Sequence, residues 1–173
     1  MAIVVEDGTG LANADALASE AEVTAYFVAY GLSTQWTSAS TSDREIAIRK
    51  CTQYLEVAAD WEGVRKFEEQ ALAWPRYWVF DQDGYLVSDF EVPIRVKQAL
   101  AEVIRRYLVD PNVILPDESS VENSVKRTSV KVGPLEEEVE YAGGVSVNTS
   151  TKLFPLVWKL LKPFLRTSGS ERS

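Results

Sequence analysis

The residues best suited to bind a ligand lie in residues 68–87, EEQALAWPRYWVFDQDGYLV. This stretch holds two tryptophans, two tyrosines, a phenylalanine and Arg76. Bases of single-stranded DNA stack on aromatic rings, while lysine and arginine bind the phosphates. One interpretation is therefore a stacking platform whose positive charge comes from Arg65, Lys66 and Arg76.

The alternative is that the same aromatic residues belong to the core. Aromatic side chains beside a proline, between two amphipathic helices, commonly fill the space that the helices leave open. We favour this interpretation, in which Trp74 and Pro75 fix the chain direction and Asp83 and Gly84 turn it. Arg76 then lies over Trp74 or pairs with a helix carboxylate, and so holds the loop together.

Three weaker patterns have structural explanations. Asp81, Asp83 and Gly84 resemble part of a calcium loop, but neither the glycine nor the glutamate that an EF-hand requires is correctly placed, so a turn is expected. Residues 8–10, GTG, lack the spacing and the lysine of a phosphate loop and are interpreted as a mobile lead-in. The glutamates of residues 136–140 alternate between the faces of a strand and are expected to be solvated.

The sequence contains no histidine and only one cysteine, Cys51, which is expected to be buried. Histidine is the commonest general base and zinc ligand, and no nucleophile and base are paired by spacing. We expect no enzymatic activity, no cofactor and no metal site. The net charge of -8 disfavours nucleic-acid binding, because phosphates repel carboxylates, whereas an acidic surface lets DNA pass without sticking.

Capping and apolar periodicity predict three amphipathic helices in a core formed by residues 1–115. The first begins at the capping box of Ser19 and ends at Tyr30. A polar loop follows, in which Trp36 is expected to fold back on the core. The second runs from Ser42, capped with Glu45, to about Trp61, and the third has Pro93 in its first turn. Their predicted buried side chains are Val23, Tyr26, Phe27, Tyr30, Ile46, Ala47, Cys51, Tyr54, Leu55, Ala58, Ile94, Leu100, Ala101, Val103, Ile104, Tyr107 and Leu108.

The remaining residues differ in composition. Residues 116–145 alternate apolar and polar side chains and predict a β-hairpin extension. Residues 146–173 are predicted to be a flexible linker and an apolar C-terminal arm, which docks either on its own core or on another chain. The expected fold class is mainly α: a compact bundle of about three amphipathic helices with a short aromatic hairpin, a β-ribbon and an extended C-terminal arm with a short helix.

Several motifs together resemble one protein family. They are DGTGLANADALASEAEVTAYF, AIRKCTQYLEVAADWEG, QALAWPR followed by DQDGY, VPIRVKQALAEVIRRY and VKVGPLEEEVEY. These motifs cover roughly residues 7–141, and QALAWPR is the most specific of them. The sequence resembles the head–tail adaptor (connector) proteins of tailed bacteriophages, which are often labelled DnaT-like single-stranded DNA-binding proteins.

The resemblance implies a structural protein of the virion neck that is made in the host cytoplasm and takes part in viral genome packaging. Such a protein forms a homo-oligomeric ring, of twelve subunits in the family pattern, beneath the portal protein. The ring extends the channel through which double-stranded DNA passes without sequence-specific binding, and it docks tail or stopper proteins. No apolar run approaches the roughly 20 residues that span a bilayer, so no membrane partner is expected.

The resemblance also implies a partner for the C-terminal arm, which in related adaptors reaches toward the portal. We therefore predict portal-facing anchors among its large apolar side chains. The alternative function is single-stranded DNA binding, which would depend on Trp74, Trp78 and Arg76. The predicted portal anchors are Leu153, Phe154, Leu156, Trp158, Leu161 and Phe164.

Overall fold

The computed structural model describes residues 2–114 and 154–166 and confirms a mainly α protein. Within these residues no helix is long and apolar enough to cross a bilayer. The helices are α1 (Glu20–Tyr30), α2 (Thr34–Ser38), α3 (Thr41–Ala58), α4 (Ile94–Tyr107) and α5 (Pro155–Leu161), the strands are β1 (Val64–Arg65) and β2 (Arg76–Tyr77), and short 3₁₀-helices cover Pro111–Ile114 and Lys162–Phe164.

The first helix, α1, has the predicted bounds and the predicted capping box. The Ser19 hydroxyl accepts the Glu22 backbone N–H at 3.2 Å, and the Glu22 carboxylate accepts the Ser19 N–H at 2.8 Å. The helix ends at Tyr30 because Gly31 follows with φ of +117°, a conformation that side chains with a Cβ rarely adopt. Its buried side chains are Val23 and Phe27, whereas Tyr30, which was predicted to be buried, is exposed.

The segment predicted as a polar loop contains the five-residue helix α2. Ser33 caps it by accepting the Trp36 backbone N–H. The prediction that Trp36 folds back on the core is confirmed, since this side chain is buried and its indole N–H donates to the Thr24 hydroxyl at 3.1 Å. The helix was missed because a single turn is too short to show an apolar periodicity.

The second predicted helix corresponds to α3, but its ends differ. Ser40, rather than Ser42, is the N-cap, and its hydroxyl accepts the Asp43 backbone N–H at 3.2 Å. The last helical residue is Ala58, so Trp61 lies in the following connector, where it is still buried. The buried stripe runs through Ala47, Ile48, Cys51 and Leu55, so Ile46, which was predicted to be buried, is exposed.

The central helix is α4, which packs against α1, α3 and α5. Pro93 is its N-cap rather than a residue of its first turn. Ile94 was predicted to be buried but is exposed, because it begins the helix on the side away from the core. The buried Glu102 accepts a hydrogen bond from the Tyr26 hydroxyl at 3.0 Å, which ties α4 to α1.

The connector between α3 and α4 carries two antiparallel pairings. Strands β1 and β2 pair Val64 with Tyr77, a pairing that the sequence did not indicate. The chain then turns back on itself through residues 79–87, where the Val87 N–H donates to the Val79 carbonyl at 2.9 Å. The turn lies where it was predicted, with Gly84 at φ of +84°.

The N-terminal lead-in is held in place by a buried carboxylate and is not the mobile segment predicted. Glu6 accepts the backbone N–H groups of Gly8 and Gly10, each at 2.8 Å, and of Leu11 at 2.9 Å. A carboxylate that accepts several N–H groups satisfies donors that the loop would otherwise leave unpaired. The lead-in is therefore fixed against the core, on which Ile3, Val5 and Leu11 pack.

The C-terminal segment, residues 154–166, lies against the same core. Leu165 forms an antiparallel bridge with Trp61. The Glu62 N–H donates to the Phe164 carbonyl at 2.9 Å, and the Arg166 N–H donates to the Asp60 carbonyl at 2.8 Å. The predicted β-ribbon of residues 116–145 lies outside the described residues, as do most of the predicted linker and Leu153.

Candidate functional site

The tryptophan of the QALAWPR motif is a core residue. Trp74 is completely buried, and its ring meets those of Trp61 and Phe164 edge to face at 5.8 and 5.6 Å between centroids. Pro75, joined to it by a cis peptide bond, is buried as well. The core interpretation is confirmed for Trp74, which presents no ring face on which a base could stack. It is wrong for the other aromatic residues of the stretch, which are exposed: Tyr77, Trp78, Phe80 and Tyr85.

Arg76 is also turned inward, although with partners other than those predicted. Its guanidinium donates to the backbone carbonyls of Glu62 at 2.6 Å, Gly63 at 2.9 Å and Ala73 at 3.2 Å. The prediction that Arg76 lies over Trp74 or pairs with a helix carboxylate is therefore wrong. The connector leaves several backbone carbonyls unpaired, and a side chain with several donors can satisfy them together. Burial lowers the pKa of this guanidinium.

A second set of aromatic residues lies on the surface, three of them around Lys66 and the fourth beside Tyr77 at 6.2 Å between ring centroids. We call the four residues Phe67, Tyr77, Trp78 and Phe90 the aromatic face. All four are exposed, with Trp78 at 68% and Phe90 at 72%. The Lys66 ammonium lies 3.8 Å from the Phe90 ring centroid and 5.8 Å from those of Phe67 and Tyr77, so three of these rings converge on one cation.

The cations beside the aromatic face are bound within the chain. Lys66 donates to the Asp89 carbonyl at 2.8 Å and pairs with the Asp89 carboxylate at 3.2 Å, and its side chain is almost buried. Arg65 donates to the Gln70 carbonyl at 3.1 Å. Exposed acids adjoin the aromatic residues in sequence, Glu68 beside Phe67 and Glu91 beside Phe90. The charge around the aromatic face is therefore acidic.

The sequence-based predictions did not include Phe67 and Phe90, although the charged residues beside them indicate surface positions. Phe67 is followed by two glutamates, and Phe90 stands between Asp89 and Glu91. A lone apolar residue among charges in a connector is commonly a surface residue. Trp78 has a backbone φ of +60°, a conformation that no sequence pattern predicts.

The turn at Asp83 and Gly84 is a structural element. The Asp81 carboxylate accepts the backbone N–H groups of Asp83 at 3.0 Å and Tyr85 at 2.8 Å, which closes the turn. Across residues 2–114 and 154–166, no three acidic, cysteine or histidine side chains group as metal ligands do.

The predicted portal anchors are mostly packed inside the chain. Phe154, Trp158, Leu161 and Phe164 are buried, and the Phe154 ring meets Tyr54 edge to face. Among the predicted anchors in the described residues, Leu156 alone is exposed. The structure therefore shows the intramolecular alternative for this segment, and a portal-facing role for the buried anchors would require them to leave the core.

One buried carboxylate is not satisfied. Glu56 accepts the Ala73 backbone N–H at 2.7 Å through one oxygen, while the other oxygen is buried without a hydrogen-bond partner. Burial raises the pKa of Glu56 to about 7, although the hydrogen bond from Ala73 and the charges of Arg76 and Arg65 oppose the rise. Burial likewise raises the pKa of the Cys51 thiol, which leaves it an inert core residue.

Comparison with known proteins gives one match. A family model with the description "Putative DnaT-like ssDNA binding protein" matches residues 1–173. No curated protein and no solved structure matches the chain. Because the family model covers the whole sequence, the chain belongs to the family of DnaT-like single-stranded DNA-binding proteins.

Proposed function

We propose that the chain is a structural head–tail adaptor, which forms a ring under the phage portal, extends the DNA channel and joins the capsid to the tail. The observation that carries this proposal is the aromatic face. Four exposed aromatic side chains in one region form the kind of apolar patch that marks a protein–protein contact. We infer that its partner is the neighbouring subunit of the ring.

The charges favour a protein partner over a nucleic acid. Lys66 and Arg76 are bound within the chain, whereas Glu68 and Glu91 beside the aromatic face are exposed. A head-to-tail ring requires two different surfaces that complement each other. Lys159 and Lys162 are exposed on the C-terminal segment, and they offer the positive charge that an acidic aromatic face would meet on the next subunit.

The specific role in the neck rests on the motifs that resemble head–tail adaptors, with QALAWPR the most specific. An acidic protein also suits a channel that DNA crosses without being held. Portal binding by the C-terminal segment stays part of the proposal, with the exposed Leu156 as its accessible anchor. Deleting this segment would not test it cleanly, because the deletion would uncover Trp61 and Trp74.

The second candidate function is single-stranded DNA binding. The description of the matching family fits this function better than it fits a head–tail adaptor. The exposed rings of Trp78 and Phe90 could each take a base. We rank it second because Lys66 and Arg76 are bound within the chain, which leaves Arg65 as the exposed cation of the three.

Two measurements on the same preparation separate these functions. In the first, the protein is mixed with purified portal protein and imaged by electron microscopy. In the second, a fluorescently labelled oligothymidine of about 30 nucleotides is titrated at about 50 and 200 mM salt, and its anisotropy is followed. Trp78→Ala is compared with Tyr30→Ala, a matched change of an exposed aromatic residue on α1.

An adaptor is expected to give rings on the portal, to lose them with Trp78→Ala and to keep them with Tyr30→Ala, without binding the oligonucleotide. A single-stranded DNA-binding protein is expected to bind with micromolar or tighter affinity, to lose at least tenfold at the higher salt and to be weakened by Trp78→Ala. Salt-sensitive binding without rings would reject the adaptor and establish the second candidate.

A further inference from the structure

The C-terminal segment fills a groove formed by residues distant from it in sequence. The groove lies between α4 and the connector that follows α3, and Trp61 and Trp74 form part of its wall. The segment buries Val157, Leu161 and Phe164 there. Its contacts are thus those of a helix bound in a hydrophobic groove.

The segment depends on this groove for its structure. Its α-helix, Pro155–Leu161, has seven residues, whereas isolated helices shorter than about 12 residues are marginal in water. Its apolar side chains are large for so short a peptide, so an undocked segment would expose them to solvent. A groove of this shape must therefore be available wherever the segment is folded.

The chain connection does not require that groove to be its own. Residues 115–153, 39 positions, separate Ile114 from Phe154. A chain of this length can span at most about 130 Å, whereas a domain of this size is roughly 35 Å across. The groove of an adjacent copy is therefore within covalent reach of the segment, and all copies present the same groove.

We propose that in the assembled protein residues 154–166 of one copy occupy the groove of a second copy. Exchange between identical chains keeps every contact of the groove and adds a covalent link between neighbours. In a dilute monomer the tether favours the chain's own groove, whereas in an assembly the neighbouring groove competes at a similar effective concentration. This inference rests on the proposed function, because it requires copies to assemble.

The bridge between Trp61 and Leu165 provides a test by disulfide trapping. Asp60 and Arg166 face each other beside this bridge, and both side chains are mostly exposed. Opposite residues of an antiparallel pair lie about 5.5 Å apart at Cα, which suits a disulfide. Asp60→Cys and Arg166→Cys are made in separate full-length chains with different tags. The buried Cys51 does not compete.

The two single variants are mixed and oxidised across concentrations from about 1 μM to 1 mM, with purified portal protein added in a second series. Cross-linked peptides are identified by mass spectrometry, and assembly is measured separately by sedimentation. The double variant, with both cysteines in one chain, serves as the reference for docking within a chain. Val28→Cys, an exposed position on α1 outside the bridge, replaces Asp60→Cys to measure random collisions.

Exchange predicts a disulfide between the Asp60→Cys and Arg166→Cys chains that rises with assembly and exceeds the Val28→Cys control at least tenfold. The proposal is overturned if this interchain link is absent at every concentration while the double variant is fully linked within one chain. This outcome counts against exchange whether or not rings form. Rings that carry only intrachain links would reject exchange and leave the adaptor function standing.

Discussion

Glu56→Gln is expected to change how the stability of the protein depends on pH. The Glu56 carboxylate has a pKa of about 7 in the folded state, against 4.5 for an ordinary glutamate, because burial disfavours its charged form. The folded protein therefore holds a proton that the unfolded chain has released between these two pH values. The free energy of unfolding should fall as pH rises from about 4.5 to 7 and level off above 7.

The difference between the two pKa values corresponds to roughly 3 kcal/mol. Glutamine is neutral at every pH and can keep the hydrogen bond from the Ala73 N–H. The Glu56→Gln variant should therefore match the native protein near pH 4.5 and exceed its free energy of unfolding by about 2 to 3 kcal/mol at pH 8. Glu69→Gln, which removes an exposed carboxylate in the connector that follows α3, is the matched control.

The assay is urea unfolding followed by tryptophan fluorescence, repeated from about pH 4.5 to 8.5. The informative quantity is the difference between variant and native protein at each pH, since other groups contribute equally to both. The reasoning is refuted if Glu56→Gln runs parallel to the native protein across this range, or if Glu69→Gln shows the same divergence.

Two further changes test the connector and the groove. Gly63→Ala should lower the free energy of unfolding by about 3 kcal/mol or more, because the added Cβ would collide with the Tyr77 carbonyl oxygen at a positive φ. Gly84→Ala, also at positive φ but with nothing near the added Cβ, should cost about 1 kcal/mol, and equal losses would contradict the packing. Phe164→Ala should cost about 3 to 5 kcal/mol in the same urea assay, since it empties the space beside Trp74. Leu156→Ala, on the exposed side of α5, should cost less than about 1 kcal/mol, and similar losses for the two would show that the groove is not filled as described.

Local signals predicted the helices well and their ends less well. The capping box at Ser19 is unambiguous, because one serine and one glutamate stand at the required spacing. Before α3, both Ser40 with Asp43 and Ser42 with Glu45 have that spacing. The direction from which the chain enters from α2 selects the first pair, and this direction is a tertiary property.

The aromatic stretch was only partly predictable for a similar reason. Trp74 and Trp78 are the same residue type four positions apart, yet one is buried and the other exposed. Trp74 is buried because the C-terminal segment covers it through Phe164. No local pattern could reveal this packing, because it joins residues about 90 positions apart in the sequence.

Residues 154–166, which fill the groove, are synthesised after the residues that form it. Domains are made from the N-terminus at about 5 to 20 residues per second. The ribosome therefore needs about 3 to 10 s to proceed from Ile114 to Arg166. During that interval the residues that form the groove have been synthesised, whereas residues 154–166 have not. Until those residues follow, Trp74 lacks the cover that Phe164 gives it in the finished protein, so the partly made chain exposes apolar surface that the complete chain buries.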